Sequence, residues 1–450
     1  MKSARWLGWL GLLPLVGWWL TGLFDLDEGF YGAVISEINR RGEWITPYYN
    51  GAPWFEKPIF TYWAGKPFIA IFGTQWGARM PSILATALTL GVLFWFVRRR
   101  LNLTVFNWTG LILGSSLLYV ALGRMLMTDP WLNLALVTAF LTFYESMVGD
   151  VRWRWVSAAA LGVGVLAKGP VADILFFTVL GVVAWRLPEL RSKLRGGWLV
   201  GLLIHLAVVA TWYVPAYLVN GQTFVQKFLI EQNLQRFLGG DAAHTWKNPL
   251  SYLTYVGVIL LGMLPWSGWI YKAWPRKQAD PLRVFLAAWA GVVFVFFTVS
   301  GAKLPHYVLP CFVPLSILVA IEFEARKADL RWGLLGVGIM TIVANAGFIA
   351  WYGASRQNEA HELIRIARDR GGEVTLFQLS RRQKELGTGS VKIQETSLPS
   401  LIMELGKPAR EAEDAAQVSK GLVFTRTNRT PGPTWRVVEK REAYVLYEVP

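Results

Sequence analysis

Long apolar runs separated by short, basic loops dominate this chain. A helix needs about 20 largely apolar residues to cross a bilayer. About eleven stretches approach that length: roughly 6–24, 77–97, 104–122, 130–148, 154–167, 171–186, 197–217, 250–271, 283–300, 308–322 and 332–351, of which the fifth and tenth are short. No small-residue cleavage site follows the first run, so it reads as a retained span rather than a signal peptide. Basic residues fall at alternate ends of successive runs: Lys2 and Arg5, Arg98 to Arg100, Arg152 and Arg154, Arg186 to Arg195, Lys272 to Lys277, and Arg326 to Arg331. Lys and Arg concentrate in cytoplasmic loops. The pattern therefore predicts a cytoplasmic N-terminus and places residues 25–76, 123–129, 168–170, 218–249, 301–307 and the tail from about 352 on the outer side.

Two of these outer segments are long. Within 25–76, Phe30, Val34, Ile35 and Ile38 recur at near-helical spacing, which predicts an amphipathic helix over 28–40 lying at the interface. The 218–249 loop carries Lys227, Glu231, Arg236, Asp241, His244 and Lys247. Past about residue 355 charged residues become frequent and near balanced. Residues 374–377, 421–425 and 444–447 read as short strands, and 359–369 and 397–405 as helices. The expected fold is an all-α polytopic membrane protein with a small C-terminal α/β domain on the outer side. Its expected domains are 1–351, which spans the membrane, and 352–450, which does not.

Composition agrees. The chain is 54% hydrophobic and 17% charged, against about 25% charged in an ordinary soluble domain. A net charge of +15 on a soluble protein would suggest nucleic acid. Here the basic residues sit in loops between spans, which favours topology and argues against nucleic acid. Cys311 is the single cysteine, so no intramolecular disulfide forms.

Six polar clusters share the predicted outer face: Asp27-Glu28, Glu56-Lys57, Arg124 with Asp129, Lys168, His244, and Lys303 with His306-Tyr307. Ionisable groups beside membrane spans are expensive and mark functional sites by default. Carboxylates can deprotonate a nucleophile. Lys and Arg can hold a phosphate and neutralise the charge that develops as it leaves. Together they suggest group transfer from a lipid-phosphate donor. Each cluster also has a plainer reading. Asp27 and Asp129 suit helix N-termini. Glu56-Lys57 suits a surface ion pair, and Arg124 a snorkelling interface residue. Lys168 and His244 suit ordinary loop positions, and Lys303–Tyr307 suits a helix break at Pro305.

The ordered motifs resemble a known family. They are Asp27-Glu28 before an amphipathic helix, Gly42-Glu-Trp-Ile-Thr-Pro47, Phe55-Glu-Lys-Pro58, Thr128-Asp129, Leu166-Ala-Lys-Gly-Pro170 and Lys303-Leu-Pro-His-Tyr-Val-Leu-Pro310. Over about residues 6–320 the chain resembles the ArnT-type aminoarabinose transferases and the bacterial relatives of protein O-mannosyltransferases, which are GT-C glycosyltransferases. The resemblance implies a polyprenyl-monophosphate-linked sugar as donor, no nucleotide sugar, an outward-facing site in the cytoplasmic membrane, and a lipid A or other envelope acceptor. It assigns Asp27 the catalytic-carboxylate position, with Asp129 as a second carboxylate. Glu56, Lys57, Arg124, Lys168, Lys303 and Tyr307 are then expected around the donor phosphate. His244, with Glu56, matches positions that accompany a divalent metal in some relatives; no cofactor is otherwise implied. One departure is visible. Relatives often read Asp-Glu-x-Arg-Tyr, whereas this chain has Phe30 at the Arg position. A transporter or flippase of lipid-linked sugars, and a non-catalytic binding relative, remain alternatives. A transporter would favour broken mid-membrane helices and repeat symmetry, and the sequence contains no internal repeat.

Overall fold

The computed structural model describes residues 6–194, 196–235, 249–275, 280–379, 398–418 and 420–450. They divide into two compact units. The first comprises residues 1–18, 55–61 and 81–345, and the second residues 19–54, 62–80 and 346–450.

The chain is a polytopic membrane protein. Among the described residues, six helices are long and apolar enough to cross a membrane: Met80–Arg100 (α3), Asp129–Val148 (α6), Trp198–Gln235, Pro281–Val299, Pro305–Ala325 and Arg331–Ala354. Two bent pairs raise the number to eight if each is one span. Leu103–Gly114 (α4) meets Leu117–Arg124 (α5) at 72°, and Ser251–Gly262 meets Ser267–Ala273 at 110°. The remaining apolar runs form the shorter helices Leu7–Leu20, Trp153–Lys168 (α7) and Val171–Arg186 (α8). Straight spans were expected over 104–122 and 250–271, and the bends have local causes. Ser115 and Ser116 turn their hydroxyls back onto the carbonyls of Leu111 and Ile112, a pairing that bends helices. Pro265 lacks the N–H and crowds the preceding turn.

Within the first unit the helices are packed to different degrees. In α6, 83% of the most apolar window is buried, whereas in Trp198–Gln235 it is 17%. The first is a core helix and the second presents most of its surface to lipid. The Leu7–Leu15 segment is 3₁₀-helical and lies unusually close to α4. A Cβ on Gly11 would stand 2.1 Å from the Gly110 carbonyl oxygen, so both backbones need glycine there.

The second unit contains the helix Asp27–Arg41 (α1), followed by a hairpin of Tyr48–Tyr49 (β1) and Ala52–Pro53 (β2). A further helix, Phe60–Gly77 (α2), occupies a stretch the sequence pattern left unassigned, because Lys66 and Pro67 interrupt its apolar run. Lys66 is absorbed locally: Nζ donates to the carbonyls of Ile38 (3.3 Å) and Glu43, and lies 4.0 Å over the Trp44 ring. The C-terminal sheet has the order β4-β3-β5-β7-β6. Its strands are Val374–Phe377 (β3), Arg410–Ala412 (β4), Gly421–Arg426 (β5), Arg436–Lys440 (β6) and Tyr444–Val449 (β7). β3 runs parallel to β4 and β5, while β7 is antiparallel to β5 and β6. The three expected strands are the apolar ones at the centre. The two edge strands, β4 and β6, are polar and were not legible.

Glu28 requires a correction. In sequence it reads as one of the acids of the outer-face Asp27-Glu28 cluster, four residues past the first apolar run. It is instead fully buried and forked against buried Arg79, with Nε–Oε1 at 2.8 Å and Nη2–Oε2 at 2.7 Å. Glu28 also accepts the Phe24 N–H at 2.9 Å, and Arg79 donates to Thr21 and Gly22. Removing one charge from such a pair strands the other. Glu28→Gln should therefore destabilise the protein by about 3–5 kcal/mol, read as a lowered Tm and reduced folded yield. An unchanged Tm would mean that the pair does not hold this unit together.

Candidate functional site

Within the first unit a cavity of about 350 Å³ is lined by two chemically distinct sets of residues. The polar set is Glu56, Lys57, Lys168, Gln232, Asn233, Ser300 and Tyr307. The apolar set includes Val171, Ile174, Phe228, Leu229, Phe296 and Phe297. The chain thus builds a charged end beside an oily wall.

Local structure explains how these groups converge. α7 ends at Lys168 and α8 starts at Val171. The turn between them uses Gly169 at φ +93°, where a Cβ would stand 2.7 Å from Asn233 Oδ1. Glycine therefore admits Asn233 next to Lys168. Asn233 is itself held by donating to the Phe228 carbonyl at 2.6 Å. Asp129 opens α6 and its carboxylate is ion-paired with Lys168 Nζ. Lys168 Nζ also lies 4.7 Å over the Tyr307 ring. The Lys57 and His306 side chains come close enough to act electrostatically on Asp129. The result is a buried carboxylate whose neighbouring cations Lys57 and Lys168 line the cavity.

The expected site residues divide accordingly. Glu56, Lys57, Asp129, Lys168 and Tyr307 come together. Arg124 is buried elsewhere, donating to the Pro14 carbonyl (3.2 Å) and Asn345 Oδ1 (3.1 Å). Lys303 is spent on the C-terminus of the Pro281–Val299 helix, where Nζ donates to the carbonyls of Phe297, Thr298 and Ser300. That is a capping role for a cation at a helix C-terminus. Asp27, in the second unit, is the first residue of α1. It is exposed, and its carboxylate makes no hydrogen bond or ion pair among the described residues. The residue before it in the helix-capping position is Leu26, with no side-chain cap. His244 lies outside the described residues. Among those described, no group of three or more His, Cys, Asp or Glu side chains could hold a metal ion.

Sequence reasoning missed the contribution of residues 228–234. It weighed the charges of that loop, but Lys227 and Glu231 pair with each other at 3.4 Å. The cavity wall is made by Phe228, Leu229, Gln232 and Asn233. Their signal was the apolar Phe-Leu pair followed by an uncharged polar pair.

Comparisons with known proteins agree on the class. The dolichyl-phosphate-mannose-protein mannosyltransferase family matches residues 56–214. An undecaprenyl phosphate-alpha-4-amino-4-deoxy-L-arabinose arabinosyl transferase of Enterobacter sp. (strain 638) is 31% identical over 340 residues, covering 71% of this chain and 60% of that protein. A protein of the same name from Yersinia pestis (strain Pestoides F) is 30% identical over 335 residues, covering 71% and 59%. The chain thus spans about 60% of the length of these relatives. Among solved structures, ArnT from Cupriavidus metallidurans bound to undecaprenyl phosphate superposes with a TM-score of 0.79 at 19% identity, covering 99% of this chain and 98% of that one. The same protein in the apo state gives the same values. At that identity the likeness establishes the fold, including the C-terminal domain.

The ion pair at the cavity is testable in isolation. Lys168→Met leaves the Asp129 carboxylate buried and unpaired and should cost about 3–5 kcal/mol of stability. Asp129→Leu combined with Lys168→Met should cost less than the sum of the single changes, because the two residues share one interaction. Additive losses in thermal unfolding would show that the two side chains are not coupled.

Proposed function

The chain is an ArnT-like membrane protein of the GT-C type, and from that premise we propose that it is a glycosyltransferase using a polyprenyl-phosphate-linked monosaccharide. The observation that carries this reading is the two-part cavity. Its cationic end, with Lys57 and Lys168, suits a phosphate, and its apolar wall, with Val171, Ile174, Phe228 and Phe296, suits a prenyl chain. A soluble nucleotide sugar would have no use for that wall. The relatives named for undecaprenyl-phosphate-linked aminoarabinose support the donor class, and the basic-loop pattern supports an outward-facing site in the cytoplasmic membrane.

The acceptor is a hydroxyl or phosphate of an envelope molecule, lipid A among them. Its oxygen attacks the anomeric carbon. The carbon–oxygen bond to the lipid phosphate breaks, and the polyprenyl phosphate leaves with the electron pair. A phosphate needs little general-acid help, so a base and fixed cations suffice. Lys57, with Lys168 held against Asp129, neutralises the leaving phosphate. Asp27 takes the acceptor's proton, on the strength of its family position and its exposed, uncommitted carboxylate. A single displacement inverts the anomeric centre. Among the described residues, Glu56 supplies the carboxylate in the cavity wall.

Two variants separate donor binding from chemistry. Lys57→Ala should weaken polyprenyl-monophosphate binding by roughly tenfold to a hundredfold, the value of a charge-assisted bond. Binding equal to wild type would remove Lys57 from the phosphate site. Asp27→Asn should lower turnover of lipid-linked donor by about a hundredfold or more while leaving donor binding and folded yield intact. Wild-type turnover would defeat the acid–base assignment and favour a binding protein.

A further inference from the structure

Asp25 lies two residues before Asp27, and sequence reasoning passed over it. Its carboxylate is half-buried, and no cation is paired to it among the described residues. It is held instead by neutral donors from the C-terminal part of the same unit. Ser400 N–H donates to Oδ1 at 2.7 Å, Ser400 Oγ lies 2.6 Å from Oδ2, and Gln357 Nε2 donates to Oδ2 at 3.1 Å. Ser400 Oγ is in turn 2.8 Å from His361 Nε2. Ser400 and His361 are both buried. The first turn of α1 runs directly against this chain of contacts, since a Cβ on Gly29 would stand 2.2 Å from Asp25 Oδ1 and 2.8 Å from Ser400 N. Further out, Asn50 and Ala409 exchange two hydrogen bonds at 3.0 and 2.8 Å, and Arg40 donates to the Gly406 carbonyl.

We propose that Asp25, Ser400 and His361 form a proton-sensitive positioning device by which the C-terminal domain sets the first turn of α1 and hence Asp27. The proposal rests on the reading of Asp27 as the acceptor-activating group. The device is not a nucleophile: the hydroxyl sits between carboxylate and imidazole, and it is buried. It has two hydrogen-bonded states. With Asp25 ionised, Ser400 Oγ–H donates to Oδ2 and His361 Nε2–H donates to Ser400 Oγ. With a proton on Oδ2, that proton is donated to Ser400 Oγ, whose own hydrogen turns to His361 Nε2, and the imidazole carries its hydrogen on Nδ1. His361 stays neutral in both, because burial pushes it down to about 4.

Burial pushes Asp25 up to about 7, opposed by its bonds from Ser400 and assisted by the charge of Glu28. The unfolded group titrates near 3.8. The folded state therefore holds this proton more tightly, and the stability it adds below that value is lost as pH rises through about 7. The other titratable groups facing Asp25 are Glu28, which is paired with Arg79, and the Tyr352 and Tyr444 phenols. Across Ser400, His361 faces Glu404 and Arg365.

The test is amide hydrogen exchange of the full-length protein across pH, corrected for intrinsic rates, together with turnover of a polyprenyl-phosphate-linked sugar. Protection in the first turn of α1 should fall through an inflection near 7 in the wild type. Asp25→Asn reproduces the protonated pattern of bonds, so its protection should be independent of pH. Ser400→Ala removes a bond that favours the ionised form and should move the inflection to higher pH. Asp27→Asn should leave the inflection in place. Asp25→Asn should likewise remove any step through about 7 from the pH profile of kcat, with donor KM unchanged. An inflection that survives Asp25→Asn, or none in the wild type, would overturn the device. A normal exchange pattern with no turnover in any protein would instead defeat the glycosyltransferase reading.

Discussion

The buried Glu28–Arg79 pair is the contact on which the second unit depends. Two opposite charges out of water are tolerated only when geometry is good and every remaining donor is used. Here the fork is complete. Arg79 reaches both carboxylate oxygens and also Thr21 and Gly22, and Glu28 takes the Phe24 N–H as well. The pair thereby ties the end of the first apolar run, the start of α1 and the residue preceding α3 into one knot. Asp25 and Asp27 lie three residues and one residue before Glu28 in the chain. Of three neighbouring acids, one is locked by charge, one is held by neutral hydrogen bonds, and one is left exposed. Only the last has a carboxylate available to a substrate.

The same logic sorts the cations of the first unit. Lys303 has three backbone carbonyls and Arg124 has a carbonyl and an amide oxygen. Both are engaged in holding helices. Lys168 is paired with Asp129 yet still lines the cavity, as Lys57 does. A cation placed between a carboxylate and a cavity can serve an incoming phosphate without ever being buried unpaired. The apolar wall beside it lowers the local dielectric and strengthens that attraction.

Much of the architecture was legible because membrane insertion writes itself into composition. Apolar runs and alternating basic loops marked the regions of the six helices long and apolar enough to cross a membrane among the described residues, and Val374–Phe377 emerged with the strand boundaries expected of it. What the pattern could not show was governed by single contacts. Ser115-Ser116 and Pro265 bend what reads as straight. Lys66 hides the helix Phe60–Gly77, because a charged residue inside an apolar run argues against a membrane element until its partners are seen. Site legibility followed a similar line. Motif position brought Glu56, Lys57, Asp129, Lys168 and Tyr307 together, but position does not reveal saturation. Arg124 and Lys303 look like site cations in sequence and are structural in space. Asp25 draws its partners from residues 357 and 400, which no local pattern connects to it.

Phe30 shows how a departure from a family pattern is absorbed. Relatives often carry Arg at this position, and a guanidinium there would need anionic or polar partners. In this chain Phe30 is buried and stacked on Trp54 with ring centroids 5.1 Å apart and planes at 13°, while Tyr49 stands at 4.9 Å. Trp54 and Tyr49 are themselves buried. This is a closed aromatic cluster between α1 and the β1–β2 hairpin, and it stabilises the hairpin through area and ring geometry. An Arg in place of Phe30 would have to desolvate its charge against the two remaining rings. The substitution therefore converts a position that could offer a cation into part of the core. Under the proposed function, neutralising the donor phosphate then falls to Lys57 and Lys168.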